Sequence, residues 1–533
     1  MRVVTVAEMK QVEAFADAHG YSYEMMMVKA GNELSRVVHR HYFDQSTGKT
    51  VVGLVGAGNN GGDTLVALSS LSTLGWHASA IVLKTRPDND KWIRAFVENG
   101  GTVLDYESRG AERKIKNAVE SANVLLDGVM GTGARLPLDD EIARHLAEIK
   151  KFLTRQIVVA VDCPSGVDCD SGETSPETLD ATLTVCMDSV KQGLVKLPAF
   201  LKCGEIVTID LGIPKAARLE ISTTRQLADH EMASNLLPQR PRDAHKGIFG
   251  TVMVVGGSVN FIGAPVLAAK SAYRIGAGLV QMAIPASIQP QISSSILEAI
   301  WLLLDEENGA IAEPAVDLIF GRLAKTNVLI LGPGLGRDAT TGKFMQRLLL
   351  GESEVHGKTV GFLTDEKERS TAQIKLPPFV IDADGLRLLA GIPEWSKRLR
   401  GAGVLTPHPG EMAALTGLTV EEVQKDRENT ALRFAKEWNQ VVILKGALTV
   451  IAEPGGSLVI IPAATSALAK AGTGDVLSGM VGGLMAQGVA PFDAAVAGAW
   501  FHARAAVQAA KTLGSERPVM AVDVINALPG VLS

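Results

Sequence analysis

At 533 residues the chain is longer than one hydrophobic core sustains, so two domains are expected. Its composition is that of an ordinary soluble protein, 46% hydrophobic and 21% charged, and a net charge of -6 spread without long runs excludes a nucleic-acid surface. Cys163, Cys169, Cys186 and Cys203 form no CxxC pair and no metal spacing, which suits reduced thiols and a cytoplasmic location.

The N-terminus carries Glu8, Lys10, Glu13 and Asp17 where a secretion signal needs an apolar block. Residues 247–269 and 275–297 are uncharged and long enough to cross a bilayer, but Gly, Pro, Ser, Asn and Gln interrupt both, so no membrane segment is expected. Apolar residues at mixed three and four spacing predict helix over 4–41. Residues 50–55 then read as a buried strand, followed by Gly56-Ala57-Gly58-Asn59-Asn60-Gly61-Gly62-Asp63 and a helix from Thr64. That is the layout of a phosphate-binding βα unit, and Gly56, Gly58 and Gly61 satisfy GxGxxG. The next strand, 78–83, ends in Lys84-Thr85-Arg86, without the acid that holds a ribose in the dinucleotide fingerprint.

Further strands over 102–106, 124–129 and 157–161 alternate with helix-length segments, which implies a doubly wound parallel sheet with ligands at the carboxyl ends of its strands. Three of those ends carry polar motifs: Asn59 to Asp63; Asp127 with Gly131-Thr132-Gly133; and Asp162-Cys163-Pro164-Ser165-Gly166-Val167-Asp168. All three are expected to meet at one crevice.

The series NNGGD, D-x-x-x-GTG and D-x-PSG-x-D, in this order and spacing, resembles the YjeF N-terminal domain, the NAD(P)H-hydrate epimerase family. The resemblance implies a potassium ion held by Asn60, Asp127 and Ser165, oxygen donors that suit a hard alkali cation. It also implies that Asn59, Asn60, Gly61, Gly62 and Asp63, with Gly131, Thr132, Gly133, Ala134, Arg135, Leu136 and Pro137, hold the hydrated cofactor. Asp162 would contact its ring and Lys191 would stand near the site; Thr64 occupies the place of the last glycine in the family's NNGGDG. The chemistry is modest: the nitrogen of the hydrated ring expels a hydroxyl, and water returns to the other face. A carboxylate in hydrogen-bond reach can protonate the one and deprotonate the other, so Asp162 is the expected acid–base group and Lys191 its electrostatic helper. Asp168 reads as a turn cap, and His39 and His41 as surface residues.

After a strand over 205–210, residues 212–245 lose periodicity and hold Pro214, Pro238 and Pro241, the best linker candidate. The expected domains are 1–220 and 226–533. Beyond His245-Lys246-Gly247, strand 251–255 runs into Gly256-Gly257-Ser258 and a helix from Gly263 that ends near Gly276. Strands over 328–331, 379–381, 404–405 and 441–444 lead in turn to Gly332-Pro333-Gly334-Leu335-Gly336, Asp382-Ala383-Asp384-Gly385, Thr406-Pro407-His408-Pro409-Gly410-Glu411 and Lys445-Gly446. A strand-like run, 457–463, precedes Gly472-Thr473-Gly474-Asp475, read as an anion-binding nest at a strand-to-helix junction.

HKG, GGS, GPGLG, DADGL, THPGE, LKG and GTGD in this order resemble the YjeF C-terminal domain, the ADP- or ATP-dependent NAD(P)H-hydrate dehydratases, a branch of the ribokinase-like fold. The resemblance implies ADP, with Mg2+, on Lys445, Gly446, Ala447, Leu448, Thr449 and Gly474, and hydrated cofactor on Ala264, Gly334, His408 and Asp475. Asp475 would be the acid–base group. Asp382 and Asp384 could cap or assist, and His502 reads as part of a packed helix face.

The expectation is therefore α/β throughout: two doubly wound domains, a Rossmann-like three-layer N-terminal one and a ribokinase-like C-terminal one. Function follows the resemblance: epimerisation of R and S hydrated NADH and NADPH (NAD(P)HX), then ADP-dependent dehydration of the S form, in a homo-oligomer with small-molecule partners only. The competing readings are a ribokinase-like kinase of a vitamin precursor, or a first domain that only binds ligand.

Overall fold

Strands such as Thr50–Val55 and Thr251–Val255 are apolar on both faces, so each must lie between two layers of helices. The computed structural model describes residues 1–106, 108, 110–219, 221, 223–350 and 375–532, in two units, Met1–Leu227 and Ala228–Ser533.

The described residues of the first unit form a seven-stranded parallel sheet in the order Thr102–Asp105, His77–Val82, Thr50–Val55, Val124–Gly128, Ile157–Val161, Leu183–Met187, Glu205–Ile209. Alternation of side chains separates its core into two faces: Val51, Val55, Leu126 and Val159 join one apolar cluster, while Val52, Leu54, Leu125 and Val158 join the other. Strand order reverses between Thr50–Val55 and Val124–Gly128, which are hydrogen-bonded neighbours. The loops after these two strands diverge there and open a crevice.

In the second unit the parallel strands run outward from Thr251–Val255. Leu279–Pro285 and Ile300–Leu304 lie on one side; Val328–Leu331, Phe379–Ile381, Gly403–Leu405 and Val441–Leu444 lie on the other. Val450–Ala452 and Leu458–Ile460 extend that second side antiparallel. The reversal again falls beside a glycine. A Cβ on Gly256 would stand 2.3 Å from the Pro333 carbonyl oxygen, as one on Gly56 would stand 1.9 Å from that of Val129. In both sheets the absence of a side chain lets the two diverging loops touch at the mouth of the crevice.

Several expectations are corrected. The helix over 4–41 is two helices, Val6–Ala18 and Tyr23–Tyr42, broken where Gly20 takes φ +90°. The helix expected from Thr64 begins at Asn59, so NNGGD opens it. Strands Leu183–Met187, Leu279–Pro285 and Ile300–Leu304 were not anticipated; the second lies within a stretch weighed only as a possible span. Residues 212–245 carry helices Lys215–Leu219 and His230–Asn235, not a bare linker. The strand before GTGD is short and antiparallel, and twelve residues separate Ile460 from Thr473, so the nest is reached by a loop and not directly from a strand end. Among the described residues no helix is long and apolar enough to cross a membrane.

Candidate active sites

The crevice of the first unit encloses about 510 Å³. Asn59, Asn60 and Asp63 line it from the N-terminal part of helix Asn59–Thr73, Gly131, Thr132, Gly133 and Ala134 from the loop after Val124–Gly128, and Asp162 from the end of Ile157–Val161. Gly61, Gly62, Arg135, Leu136, Pro137 and Lys191 are not part of that lining. Gly61 and Gly62 are packing glycines: a Cβ would lie 2.1 Å from the Gly56 carbonyl oxygen in one case and 2.6 Å from Met27 Sδ in the other. Arg86, from the tripeptide that lacked the ribose-binding acid, reaches back to donate to the carbonyls of Gly56 at 2.6 Å and Gly58 at 3.1 Å and so braces the turn.

Asp162 sits at φ +67°, a left-handed conformation costly for a non-glycine residue and of the kind that clusters at functional sites. Its Oδ1 accepts from the Met187 amide at 2.9 Å and from the buried ammonium of Lys191, which also donates to the Met187 carbonyl at 3.1 Å. Burial alone would depress Lys191, but the Asp162 carboxylate, with Cys186 beside it, lifts it above its ordinary value. The lysine is thus a fixed positive charge under the carboxylate. Asp168 accepts from the amides of Asp170 and Ser171, the turn cap expected of it.

Asn60, Asp127 and Ser165 come together beneath the crevice. The Ser165 amide donates to Asp127 Oδ2 at 2.9 Å, Ser165 Oγ accepts from the Met130 amide at 3.0 Å, and Asn60 Nδ2 donates to the Met130 carbonyl at 3.0 Å. Asp127 is fully buried and its Oδ1 has no hydrogen-bond partner among the described residues. Burial raises its pKa in spite of bonds from Ser165 and Val129. An orphaned carboxylate oxygen beside a hydroxyl and an amide is a donor set that fits a hard cation. Thr64, in the place of a family glycine, is buried in the helix, donates to the Asn60 carbonyl at 2.8 Å and lies where a Cβ on Gly128 would be 1.8 Å from its hydroxyl.

The sequence reading missed Glu13 here. It lines the same cavity from helix Val6–Ala18, and desolvation lifts its carboxyl to about 7. The signal was its place beside Met9, Val12 and Ala16, the buried stripe of that helix.

In the second unit Lys445, Gly446, Ala447, Thr449 and Gly474 line a cavity of about 190 Å³. Leu448 is buried at φ +55° beside it, and its amide donates to the Ala463 carbonyl at 2.8 Å. Ala264, Gly334, His408 and Asp475 are not among the lining residues. Lys445 Nζ lies 2.7 Å from Asp382 Oδ1 and 3.7 Å from Glu411 Oε2. Burial would lower this lysine; Asp382 and Glu411 raise it instead. Asp382 Oδ2 has no partner among the described residues, and a Cβ on Gly474 would come within 3.6 Å of it. Gly474 is therefore a place where a ligand can approach both charges closely. Asp475, in the first turn of helix Thr473–Ala486, is raised to about 8 by desolvation and then by Asp382, against the pull of Lys445.

His408 is half exposed, and its Nδ1 accepts from the amides of Gly410 and Glu411, capping helix Pro409–Thr416, while Nε2 faces Glu411 Oε1 at 3.2 Å. Asp384 accepts from the Gly336 amide at 3.1 Å and so ties the loop that bears Gly334. A Cβ on Gly334, at φ +68°, would lie 3.1 Å from that of Ala264, so these two expected site residues are neighbours. His502 is not simply packed: it lines the same cavity as Lys445, together with Ala499 and Ala503, and its Nε2 is buried without a partner among the described residues. Desolvation pushes its pKa down to about 4, so it is neutral at pH 7. A histidine flanked by alanines at helical spacing was the signal in the sequence.

Fold and sites together define an α/β enzyme of two doubly wound units, each with a lysine–carboxylate pair near the crevice at its carboxyl edge. The model of the family described as YjeF-related protein N-terminus matches residues 23–193, and that of NAD(P)H-hydrate dehydratase matches residues 252–529. A bifunctional NAD(P)H-hydrate repair enzyme Nnr of Moorella thermoacetica is 34% identical over 100% of this chain and 97% of its own length. The enzyme of that name from Coxiella burnetii is 30% identical over 98% and 97%. A crystal structure of the ADP/ATP-dependent NAD(P)H-hydrate dehydratase from Bacillus subtilis, co-crystallized with ATP/Mg2+, is 27% identical, covers 57% of this chain and 97% of its own, and aligns with TM-score 0.45. The chain belongs to the family of bifunctional NAD(P)H-hydrate repair enzymes, with an epimerase and a dehydratase domain. The kinase reading is set aside, because the full-length relatives are repair enzymes.

Proposed function

We propose that the first unit interconverts the R and S forms of NAD(P)HX and that the second dehydrates the S form to NAD(P)H with ADP as co-substrate. The observation that carries this reading is the full-length similarity to bifunctional repair enzymes. In the first unit Asp162, paired with Lys191, takes and returns the proton at the ring hydroxyl. Asn59 to Asp63 and Gly131 to Pro137 hold the hydrated cofactor, as directly lining residues or as the packing that shapes the loop. Asn60, Asp127 and Ser165 would hold K+, which would supply the positive charge that compensates the buried carboxylate of Asp127. The orphaned Oδ1 of Asp127 supports this.

In the second unit Asp475, its carboxyl raised to about 8, delivers a proton to the departing hydroxyl, which leaves as water, and the carboxylate so formed accepts the proton lost from the adjacent ring carbon as the double bond forms. Lys445, Gly446, Ala447, Leu448, Thr449 and Gly474 would hold ADP with Mg2+, whose phosphate supplies charge beside that hydroxyl. Ala264, Gly334 and His408 border the hydrated ring, and neutral His502 offers Nε2 to the nucleotide. The reading also includes a homo-oligomer in the cytoplasm.

The test follows nicotinamide absorbance as the protein acts on a mixture of both NADHX epimers, with ADP, with ATP or with neither. Full recovery of NADH with ADP is expected. Recovery of one epimer's share alone would remove the epimerase assignment, and no recovery with either nucleotide would remove the dehydratase assignment.

A further inference from the structure

Three carboxyl groups line the crevice of the first unit from different elements: Asp63 on helix Asn59–Thr73, Asp162 at the end of Ile157–Val161 and Glu13 on helix Val6–Ala18. We propose that Glu13 is a second acid–base catalyst of the epimerisation, acting with Asp162 at the hydrated ring carbon. This rests on the reading of the cavity as the epimerase site.

Two such groups divide between them the proton transfers that Asp162 would otherwise carry alone. A hydroxyl leaves one face of the ring as water and water returns to the opposite face, so a single fixed carboxyl would have to serve both. With two, the steps balance. The Glu13 carboxyl gives its proton to the hydroxyl as the C–O bond breaks, and the ring nitrogen supplies the electron pair. The iminium that results is attacked by water on the other face, a new C–O bond forms, and the surplus proton goes to the Asp162 carboxylate. The reverse reaction starts from the product state, with Asp162 as donor and Glu13 as acceptor. No oxidant, reductant or further reactant is required.

The charges around Glu13 favour this division. Asp162 is compensated by Lys191, and the neighbouring Asp188 by Arg218, whose Nε lies 3.0 Å from it. Lys10 and Lys84 stand at the exposed rim of the cavity, where water screens them. Glu13 has no hydrogen-bond partner among the described residues, so its carboxyl is available to a ligand. Burial lifts it to about 7, with Asp162 and Asp188 adding to the rise and Lys191 and Lys10 opposing it. Asp63 shares the cavity, and its carboxyl is raised well above its ordinary value by burial, with Asp162 and Glu13 adding to the rise and Lys191 opposing it. Glu13 is the carboxyl that can both give and receive near neutrality.

In either direction the reactive state is the pair holding one proton. Above about 7 Glu13 loses that proton, so kcat/KM must fall in both directions as pH rises through this value. The test uses the full chain without nucleotide, which silences dehydration, and follows R–S interconversion by chromatography. Glu13→Gln is expected to lower kcat about 100-fold with KM changed less than about threefold, and to abolish the alkaline limb near 7. Glu13→Asp, which keeps a carboxyl, is expected to recover at least about tenfold of that loss and to restore the limb. A Glu13→Gln rate within about threefold of the wild type, or a reduced rate with the wild-type pH profile, overturns the proposal. Asp162→Asn is measured beside it. If that variant keeps the wild-type rate, the epimerase reading of the cavity fails; if it is inactive while Glu13→Gln is not, only the role of Glu13 fails.

Discussion

Asp475, half-buried, and Asp127, fully buried, both have raised values, yet they call for opposite compensation. Asp475 holds a proton up to about 8, so dehydration should proceed at full rate below that pH and fall as the proton is lost above it. Asp475→Asn keeps the shape and removes the proton transfer; a fall of about 10²–10⁴ in kcat is expected, with no alkaline limb left in the pH–rate profile. Asp127 instead presents an oxygen with no partner among the described residues. If K+ fills that place, excess K+ should raise the melting temperature of the wild type by about 2–4 °C for each kcal/mol of binding. Asp127→Asn should abolish that response while retaining the bond from the Ser165 amide, and differential scanning fluorimetry with and without K+ reads the difference. Both aspartates were legible in the sequence as members of motifs. Glu13 and His502 were not, because a helical periodicity says which face is buried but not which cavity that face meets.

Helices Gly263–Ile275 and Thr473–Ala486 pack closely enough that a Cβ on Gly479 would lie 2.0 Å from Ser271 Oγ and 2.1 Å from the Ala268 carbonyl oxygen. The same helix carries Asp475 at its third position, so this seat fixes where the acid stands. Two effects of Gly479→Ala compete: alanine favours a helix by about 1 kcal/mol, while overpacking against backbone costs about 1–3 kcal/mol. The clash is with a carbonyl that cannot swing aside, so net destabilisation is expected, together with reduced dehydration; a urea unfolding curve showing a more stable variant would contradict it. Apart from Leu183–Met187, Leu279–Pro285 and Ile300–Leu304, the parallel strands and the glycine turns after them could be read in advance, since buried parallel strands are short apolar runs ended by turn residues. The first turn of Asn59–Thr73 could not, because Asn-Asn-Gly-Gly is a poor helix start by local preference. It is helical because Gly61 and Gly62 let the chain pack against Gly56 and Met27.

For the whole chain, the two activities should be separable by single substitutions. Given both NADHX epimers and ADP, Asp162→Asn should recover only the share that the dehydratase accepts, while Asp475→Asn should recover almost none and still equilibrate the epimers. Loss of both activities from either change would contradict the assignment of one reaction to each unit. The sequence alone determined that the chain is α/β in two parts, which motifs stand at the strand ends, and to which family they point, because these depend on local pattern and residue order. Tertiary structure alone decided which motif residues face a cavity. It made Gly61 and Gly62 packing residues, left Asp127 Oδ1 without a partner among the described residues and brought Glu13 to the crevice of Asp162. Those outcomes rest on contacts between segments far apart in the chain, and on the desolvation such contacts impose, neither of which a single residue or its neighbours encode.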